Sequence, residues 1–501
     1  MKSTLRSLLF CSAIFYSYGL TAQTCSDCRF LSPVFDSVKV STDYFAKGVN
    51  ADGDTLDMYM DVYEPYGDTM TNRPVMIFAF GGGFVQGSRT DWYVVEVCRH
   101  FAKAGYVAVS IDYRTGITVN EIISLQFMRI FFRPMQEMRA AVQHLKWGYA
   151  ENGDPYSIDT SRIIIGGASA GAITALMTAY CDKDSEMAEM GNLNALNALG
   201  GFYSTSGFHQ NYNWNSLAVV NVAGALIKAN WMETGDIPVI SAHGDADQVV
   251  PYKEGAFAGL SAFGFNLQGS YVVDTVARNR GICSYLYTME GRDHPSEDMG
   301  IEYIRSVVYR ISQRMYAVIN GRSFCCPLAA DITPKDTLYF APGAPDATLS
   351  AVITNDNGNA QPKWCSIGCG VSSSANSVTF TPDTSLKYML LSAIEGGCEA
   401  PDMHILVDST ALVSSLTTAD KLAASLFPMP AAHQVELLLS EYQNQLYIVL
   451  TDVSGRVISE QSFEHVAKSV MIDVSNLSAG TYLLYWNNGT QHNAQKMVIQ
   501  R

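Results

Sequence analysis

The stretch from residue 162 to residue 177 limits the fold more than any other part of this 501-residue chain. Residues 162–166 form a short apolar run that is typical of a buried strand, and residues 172–177 favour a helix. The sequence between them is Gly-Ala-Ser-Ala-Gly, whose small residues allow a sharp, strained turn around Ser169. We therefore expect the Ser169 hydroxyl to stand out from a sheet edge, with the amide of Ala170 facing the space before it.

Strand-like and helix-like segments alternate on both sides of this turn, as far as residue 320. The wholly apolar run at 75–80 is typical of a central strand, and the run at 134–147 has helical spacing. This alternation predicts an α/β domain over residues 23–320, with a mostly parallel sheet and helices on both faces. A second helix is predicted at 94–104, and further strands at 35–44, 55–63, 106–113, 163–166, 218–222, 237–243 and 282–289.

The composition changes beyond residue 320, where Thr, Ser, Asp, Pro and Gly separate short strand-like runs. Residues 326–410 are predicted to form a small Ig-like β-sandwich, and residues 411–421 a linker. Residues 422–501 contain four or five more strand-like runs and are predicted to be a second all-β module. Hydrophobic residues make up 48% of the chain and charged residues 16%, which indicates folded domains with sizeable cores.

The N-terminus predicts export. Lys2 and Arg6 precede an apolar run at 8–20, and Ala22 offers a cleavage point, so residues 1–22 are interpreted as a signal peptide. An uncleaved anchor is the alternative, although the apolar run is shorter than the ~20 residues of a membrane span. Of the 11 cysteines, Cys11 lies in this segment, and the ten others in an exported chain predict disulfides whose pairing the sequence leaves open.

The net charge and the cysteine spacing argue against two classes of ligand, nucleic acids and metal ions. The net charge of −15 argues against nucleic acid as a partner. The cysteines near 325 and 365 lack the histidine or paired CxxC spacing of a zinc site, so no metal site is expected.

A serine hydroxyl needs a base beside it, and that base needs a third group to hold it. In a sheet of this order the acid follows a later strand, and the histidine follows the last strand. The strand at 237–243 runs into Asp245 and Asp247, of which Asp247 is the preferred acid and Asp245 its competitor. His294 follows the strand at 282–289 and is the predicted base, with His209 and His243 as weaker rivals.

Three glycines follow the central strand at residues 81–83. Glycine lets the backbone approach a substrate closely, so the amides of Gly82 and Gly83 are predicted to join that of Ala170 in an oxyanion hole. An ordinary glycine-rich turn is the alternative. Phe84 and Phe131 are candidate substrate-binding residues, although an aromatic run such as the one around Phe131 often belongs to the core.

Residues 34–320 resemble an α/β-hydrolase of the carboxylesterase/lipase type. The resemblance implies a catalytic triad of Ser169, Asp247 and His294, with oxyanion donors at Gly82, Gly83 and Ala170, and it implies no metal or organic cofactor. The family usually has a histidine before the glycines, where this chain has Phe80. The segments that carry the resemblance are 61–65, 81–84, 105–108, 112–114, 167–171, 243–251 and His294.

Residues 422–501 resemble the C-terminal sorting domain of the type IX secretion system of Bacteroidetes. The similar segments are 426–431, 452–457, 477–483 and 496–499. This resemblance implies passage through the periplasm and across the outer membrane by the type IX machinery, followed by release or surface attachment. A β-module that binds polysaccharide is the alternative.

The sequence thus predicts a secreted serine esterase that acts on acyl or aryl esters, with acetyl and feruloyl groups on polysaccharide as candidate substrates. Two other functions remain open. A peptidase on the same fold would cleave peptide anilides in preference to esters. A non-catalytic surface binding protein would keep the fold without a reactive serine.

Overall fold

The computed structural model describes residues 28–123, 128–190, 193–199, 207–257, 266–295, 301–333, 338–340, 346–366, 372–380, 388–408, 424–427, 433–439, 443–452, 457–466, 469–488 and 492–499. The predicted signal peptide (1–22) and linker (411–421) lie outside the described residues.

An eight-stranded sheet forms the centre of the first domain, in the order β1-β2-β4-β3-β5-β6-β8-β11, and a small sheet of β7, β10 and β9 lies apart from it. From β4 to β11 all neighbouring strands are parallel, whereas β1, β2 and β4 pair antiparallel. The strands are β1 (Val38–Val49), β2 (Thr55–Pro65), β3 (Arg73–Ala79), β4 (Val107–Ile111), β5 (Ile158–Ala168), β6 (Ala218–Val222), β7 (Ala225–Leu226), β8 (Val239–Gly244), β9 (Glu254–Ala256), β10 (Asn266–Gly269) and β11 (Ser284–Met289).

Helices connect the parallel strands and bury their apolar stripes against the sheet. They are α1 (Trp92–Ala104), α2 (Val119–Ile123), α3 (Arg129–Glu151), α4 (Ala170–Tyr180), α5 (Asp184–Glu189), α6 (Leu193–Asn197), α7 (Ser270–Asn279) and α8 (Ile301–Ile319). The predicted α/β-hydrolase fold class is confirmed.

Helix α3 begins five residues before the predicted start at Pro134. A proline inside a helix removes one backbone hydrogen bond. The side chains of Ile130, Phe131 and Phe132 are buried in the core, and their burial offsets that loss. Tertiary packing therefore lets this helix begin at Arg129, before the start that the local sequence indicated.

Two all-β modules follow the first domain, as predicted, and each contains two sheets. The middle module contains β12 (Ala329–Thr333), β13 (Leu338–Phe340), β14 (Ala347–Thr354), β15 (Gln361–Ser366), β16 (Ser372–Ser373), β17 (Ser377–Phe380), β18 (Tyr388–Glu395) and β19 (Cys398–Asp408). The last module contains β20 (Ala424–Phe427), β21 (Gln434–Leu439), β22 (Gln443–Asp452), β23 (Val457–Val466), β24 (Ser469–Asp473), β25 (Gly480–Asn487) and β26 (His492–Ile499).

Disulfides and helix α8 tie the middle module to the α/β domain. Cys28 is bonded to Cys365, 337 positions away, and the Gln313 side chain donates to the Asp402 carbonyl at 2.5 Å. Cys25 and Cys369 lie outside the described residues. The other described disulfides are Cys283–Cys325 and Cys326–Cys398, whereas Cys98 and Cys181 are free and buried.

Candidate active site

Ser169 stands at the junction of β5 and α4, as the sequence predicts. Its backbone has φ +53° and ψ −119°, a conformation that L residues rarely adopt, and its amide donates to the Val222 carbonyl at 2.8 Å. Strain of this kind persists only where the surroundings hold it in place. The turn leaves the serine at the carboxyl end of a central strand, with Ala170 as the first residue of the helix.

Two glycines make this turn possible because backbone passes very close to them. A Cβ atom at Gly167 would lie 2.4 Å from the carbonyl carbon of Gly171. A Cβ atom at Gly171 would lie 2.2 Å from the carbonyl oxygen of Ala79. The small residues flanking Ser169 are therefore required by close approach between β3, β5 and α4.

Replacing Gly171 by alanine is expected to lower the free energy of unfolding by about 3 kcal/mol, because the methyl group has only backbone to displace. Gly148 in α3 provides a matched control, since the nearest atom to its Cβ position is 3.8 Å away. Gly148→Ala should leave stability unchanged or raise it by up to ~1 kcal/mol through helix propensity. Urea unfolding of both variants measures the difference, and equal midpoints would contradict the close approach at Gly171.

The loops after β8 and β11 bring Asp247 and His294 to Ser169. The Ser169 hydroxyl donates to Nε2 of His294 at 2.8 Å, and Nδ1 of His294 donates to Oδ2 of Asp247 at 2.6 Å. Nδ1 carries the proton because the Asp247 carboxylate can only accept. The imidazole therefore presents an unprotonated nitrogen to the serine hydroxyl, which is the arrangement that a general base requires.

Asp247 is held as a carboxylate by its hydrogen bonds. Its Oδ1 accepts the amides of Val249 and Val250 at 2.8 and 2.9 Å, and its Oδ2 accepts from two histidines. Burial raises the pKa of Asp247, but hydrogen bonds from His243 and His294 outweigh burial, and the pKa lies well below its ordinary value.

His243 has a role that the sequence did not indicate. It was a rival candidate for the base, but its fully buried ring lies behind Asp247, at 3.1 Å from Oδ2 through Nε2. Nε2 also lies 3.2 Å from the Val250 carbonyl, so it faces two acceptors and must carry a proton. The Ser270 hydroxyl donates to Nδ1 at 2.7 Å. The sequence signal for this role was the position of His243, four residues before Asp247 and at the end of a buried strand.

The other candidate acid, Asp245, and the other candidate base, His209, lie away from the Ser169 hydroxyl. Asp245 is exposed and accepts the amide of Gly291 at 2.6 Å, which stabilises the loop before His294. His209 stacks on Trp147 with ring centroids 4.0 Å apart. Neither contacts the serine through a hydrogen bond among the described residues.

Tyrosine hydroxyls orient the glycine loop. The Gly81 amide donates to the Tyr93 hydroxyl at 2.5 Å, and the Tyr113 hydroxyl donates to the Phe80 carbonyl at 2.9 Å. Phe80 stacks on the Tyr113 ring with centroids 4.0 Å apart. An aromatic pair therefore occupies the place where the α/β-hydrolase family that this chain resembles usually has a histidine. Gly82 and Gly83 have φ angles of +105° and +62° and line the same cavity as Ser169.

Phe84 and Phe131 do not line that cavity, so the prediction that they bind substrate is not supported by their positions. Both are fully buried, and their rings pack edge to face with centroids 5.1 Å apart. Phe131 turns inward because α3 presents its aromatic stripe to the core. The cavity has a volume of about 720 Å³, within the usual range for ligand sites, and Val85 and Trp92 lie at its wall instead.

Comparison with known proteins gives two family matches. Residues 60–225 match the BD-FAE family model, and residues 425–500 match the secretion system C-terminal sorting domain. No curated protein matches the chain.

Solved structures of Thermogutta terrifontis esterase 2 are similar to part of the chain. The form phosphorylated by paraoxon is 18% identical over 56% of this chain and 94% of that chain, with a TM-score of 0.40. The apo form is 18% identical over 55% and 94%, with a TM-score of 0.39. The propionate-bound form is 19% identical over 55% and 94%, with a TM-score of 0.38.

The first family match includes the glycine loop and the turn at Ser169, and it ends before Asp247 and His294. The second match covers nearly all of the last β-module and agrees with the predicted sorting domain. The chain therefore combines an esterase-like α/β-hydrolase domain of the BD-FAE type with a secretion system C-terminal sorting domain.

Proposed function

We propose that this protein is a secreted serine esterase that hydrolyses carboxylic esters through an acyl-enzyme. The position of one ring carries the proposal: the His294 imidazole bonds Ser169 on one side and Asp247 on the other, at 2.8 and 2.6 Å. A nucleophile, a base and a group that holds the base are the side chains that serine-based acyl transfer uses.

In the first half of the reaction, Ser169 Oγ attacks the ester carbonyl carbon as its proton moves to His294 Nε2. Negative charge develops on the carbonyl oxygen, and the amides of Ala170, Gly82 and Gly83 are the proposed donors to it. The C–O bond to the alcohol then breaks, and His294 returns the proton to the leaving oxygen. Asp247 stabilises the imidazolium throughout this exchange.

In the second half, a water molecule gives a proton to His294 and attacks the acyl-enzyme carbonyl. The bond between the carbonyl carbon and Ser169 Oγ breaks, the serine regains its proton, and a carboxylic acid leaves. Every proton transfer uses Nε2 of His294, which explains why the ring must stay in a single tautomer.

Labelling with a fluorophosphonate probe tests this proposal on the full chain. We expect one stoichiometric adduct, assigned by peptide mass spectrometry to Ser169, and hydrolysis of p-nitrophenyl esters faster than that of peptide anilides. Absence of labelling at Ser169 would instead indicate a binding protein. Preference for anilides would indicate a peptidase.

Replacing His243 by glutamine is expected to reduce kcat/KM for p-nitrophenyl butyrate by about 10- to 100-fold, because Asp247 loses a donor that holds its position. That donor also lowers the pKa of Asp247. Its loss should raise this pKa toward the ordinary value of a carboxyl group. The matched control is His209→Gln, which removes a histidine that stacks on Trp147. A His243 variant with unchanged kcat/KM would contradict the assigned position.

The sorting domain determines where this chemistry takes place. Its match indicates secretion or attachment to the cell surface through the type IX system, as the sequence predicts. None of the described helices is both long and apolar enough to cross a membrane. We propose that the esterase meets its substrate outside the cell, where acetyl and feruloyl esters on polysaccharide are the candidates that the sequence suggests.

A further inference from the structure

Three aromatic rings lie in a row on the surface of the α/β domain, where β1 forms the edge of the large sheet. Tyr59 on β2 and Tyr44 on β1 are register partners, and their ring centroids are 5.4 Å apart. Phe208 packs edge to face on Tyr44 at 5.0 Å. These three residues are here called the aromatic stripe.

The stripe is exposed to solvent rather than packed in the core. The exposed fractions of Tyr59, Tyr44 and Phe208 are 38%, 37% and 48%. Single exposed apolar side chains are normal on a protein surface, but contiguous ones mark sites of interaction. The position of the three rings in one row therefore indicates a ligand.

The backbone around the stripe is well supported. Gly207 forms an antiparallel bridge with Ala46, which holds the segment carrying Phe208 beside the edge strand. On the other side of Phe208, the His209 ring stacks on Trp147 of α3 with centroids 4.0 Å apart. The rings are thus presented in a preformed arrangement, so ordering them on binding costs little.

The stripe begins at the sheet edge that carries Ser169. The Tyr59 carbonyl accepts the amide of Asp112, the residue that follows β4, so Tyr59 lies at the carboxyl edge of the parallel strands. In the strand order β2-β4-β3-β5, three spacings separate it from Ser169, or ~14 Å. The Arg89 guanidinium lies over the Tyr59 ring at 5.7 Å, and Arg89 is three residues before Trp92, which lines the cavity at Ser169. A long molecule bound at that cavity can therefore reach the stripe along one edge.

Polar groups border the rings. The Tyr44 hydroxyl donates to Oδ1 of Asp57 at 3.1 Å, and the Lys47 ammonium lies 3.6 Å from the same oxygen. Both charged side chains are about half exposed. A pyranose ring offers polarised C–H groups on its faces, which are attracted to the negative face of an aromatic ring, and hydroxyls at its rim, which bond carboxylate and ammonium groups. The stripe and its border match both kinds of group.

Area and charge distinguish a glycan from other occupants. Three aromatic side chains exposed to this extent present about 250 Å² of surface, whereas a stable protein interface needs ~800 Å² from each partner. The stripe is therefore too small to hold a second copy of the chain or another folded protein. The net charge of −15 opposes the binding of a polyanion. A neutral glycan fits both observations.

We propose that the aromatic stripe binds a neutral polysaccharide, and that it holds the polymer whose ester groups are presented to Ser169. The surface lies outside the catalytic cavity and contacts the alcohol side of the substrate. Its role in hydrolysis rests on the proposed esterase function, whereas its binding of the glycan does not. Contact at two places on one polymer raises the effective concentration of ester groups at the nucleophile.

The first test measures binding by the full chain in native gels that contain arabinoxylan, glucomannan or polygalacturonate, all free of esters. We expect arabinoxylan or glucomannan to retard migration and polygalacturonate to have no effect. Retardation by polygalacturonate alone, or by none of the three polymers, overturns the stripe proposal and leaves the esterase intact.

Substitution within the stripe supplies the second test. Phe208→Ala should raise Kd for the retarding polymer about fivefold, because one stacking face is lost, and Phe208→Tyr should bind as the unaltered protein does. Tyr44→Ala makes the same test if the first variant does not fold. Tyr66→Ala is the matched control, because Tyr66 is 70% exposed and lies outside the stripe. Unchanged Kd in the Phe208→Ala and Tyr44→Ala variants overturns the proposal.

Hydrolysis tests the link between the stripe and Ser169. In Phe208→Ala the ratio of KM for acetylated glucomannan to KM for p-nitrophenyl butyrate should rise about fivefold, because only the polymer is long enough to reach the ring. An unchanged ratio overturns this link. Failure to label Ser169 with a fluorophosphonate, with retardation intact, overturns the esterase proposal and leaves the glycan surface. Light scattering that finds a dimer in the unaltered protein and a monomer in Phe208→Ala overturns the glycan as the occupant.

Discussion

Replacing Ser169 by alanine is expected to lower kcat for p-nitrophenyl butyrate by about 10⁶-fold. The alanine methyl group occupies the same strained turn but has no oxygen to attack the carbonyl, so no acyl-enzyme forms. The oxyanion donors and the bound substrate remain, and only a slow reaction with water is left. Steady-state hydrolysis and the burst of released p-nitrophenol measure the loss.

Ser161→Ala is the matched control for this variant. Ser161 lies on β5, the strand that carries Ser169, but it is exposed and its hydroxyl donates to Asp159 at 2.6 Å. We expect its turnover to equal that of the unaltered protein. If the Ser169 variant folds, as shown by its unfolding midpoint, and keeps more than about a thousandth of the activity, Ser169 is not the nucleophile.

Asp247→Asn is expected to lower kcat about 10⁴-fold while the fold is preserved. The Val249 and Val250 amides require an acceptor at Oδ1, so the asparagine carbonyl takes that place and its NH₂ group replaces Oδ2. That NH₂ group then faces Nδ1 of His294. The imidazole must accept from it and move its proton to Nε2, where it can no longer receive the serine proton.

Asp245→Asn distinguishes the two aspartates that the sequence offered. Asp245 accepts the Gly291 amide, a bond that an asparagine carbonyl can also accept, so kcat should change by no more than a few-fold. A large loss in the Asp245 variant and a small loss in the Asp247 variant would reverse the assignment of the acid.

Local sequence patterns predicted the strand, turn and helix around Ser169 because the geometry of this turn is local. The strand, the five-residue turn and the helix around Ser169 are contiguous, and the glycines at 167 and 171 report a close backbone approach directly. Chain order then placed Asp247 and His294 at the ends of later parallel strands. Parallel strands share one carboxyl edge, so these loops meet although 125 positions separate Ser169 from His294.

Sequence patterns left questions open where the answer depends on which way a side chain points in the folded protein. His243 was compared with His294 as a base, yet it lies buried behind the acid because the strand turns its ring into the core. Phe84 and Phe131 were candidates for contact with the substrate, with the core as the alternative for Phe131, and two separate segments fold so that their rings pack on each other. The disulfide pairing was open for the same reason, since Cys28 and Cys365 are brought together only by docking of the middle module.

The sequence by itself determined the class of fold, the sorting module and the residues that end the functional strands, because each depends on short-range spacing and on strand order. The tertiary structure alone decided the hydrogen bonds that hold Asp247, the aromatic pair that replaces a histidine at Phe80, and the residues that line the cavity at Ser169. These features arise between elements distant in the chain, and their contacts depend on packing geometry that no local pattern encodes.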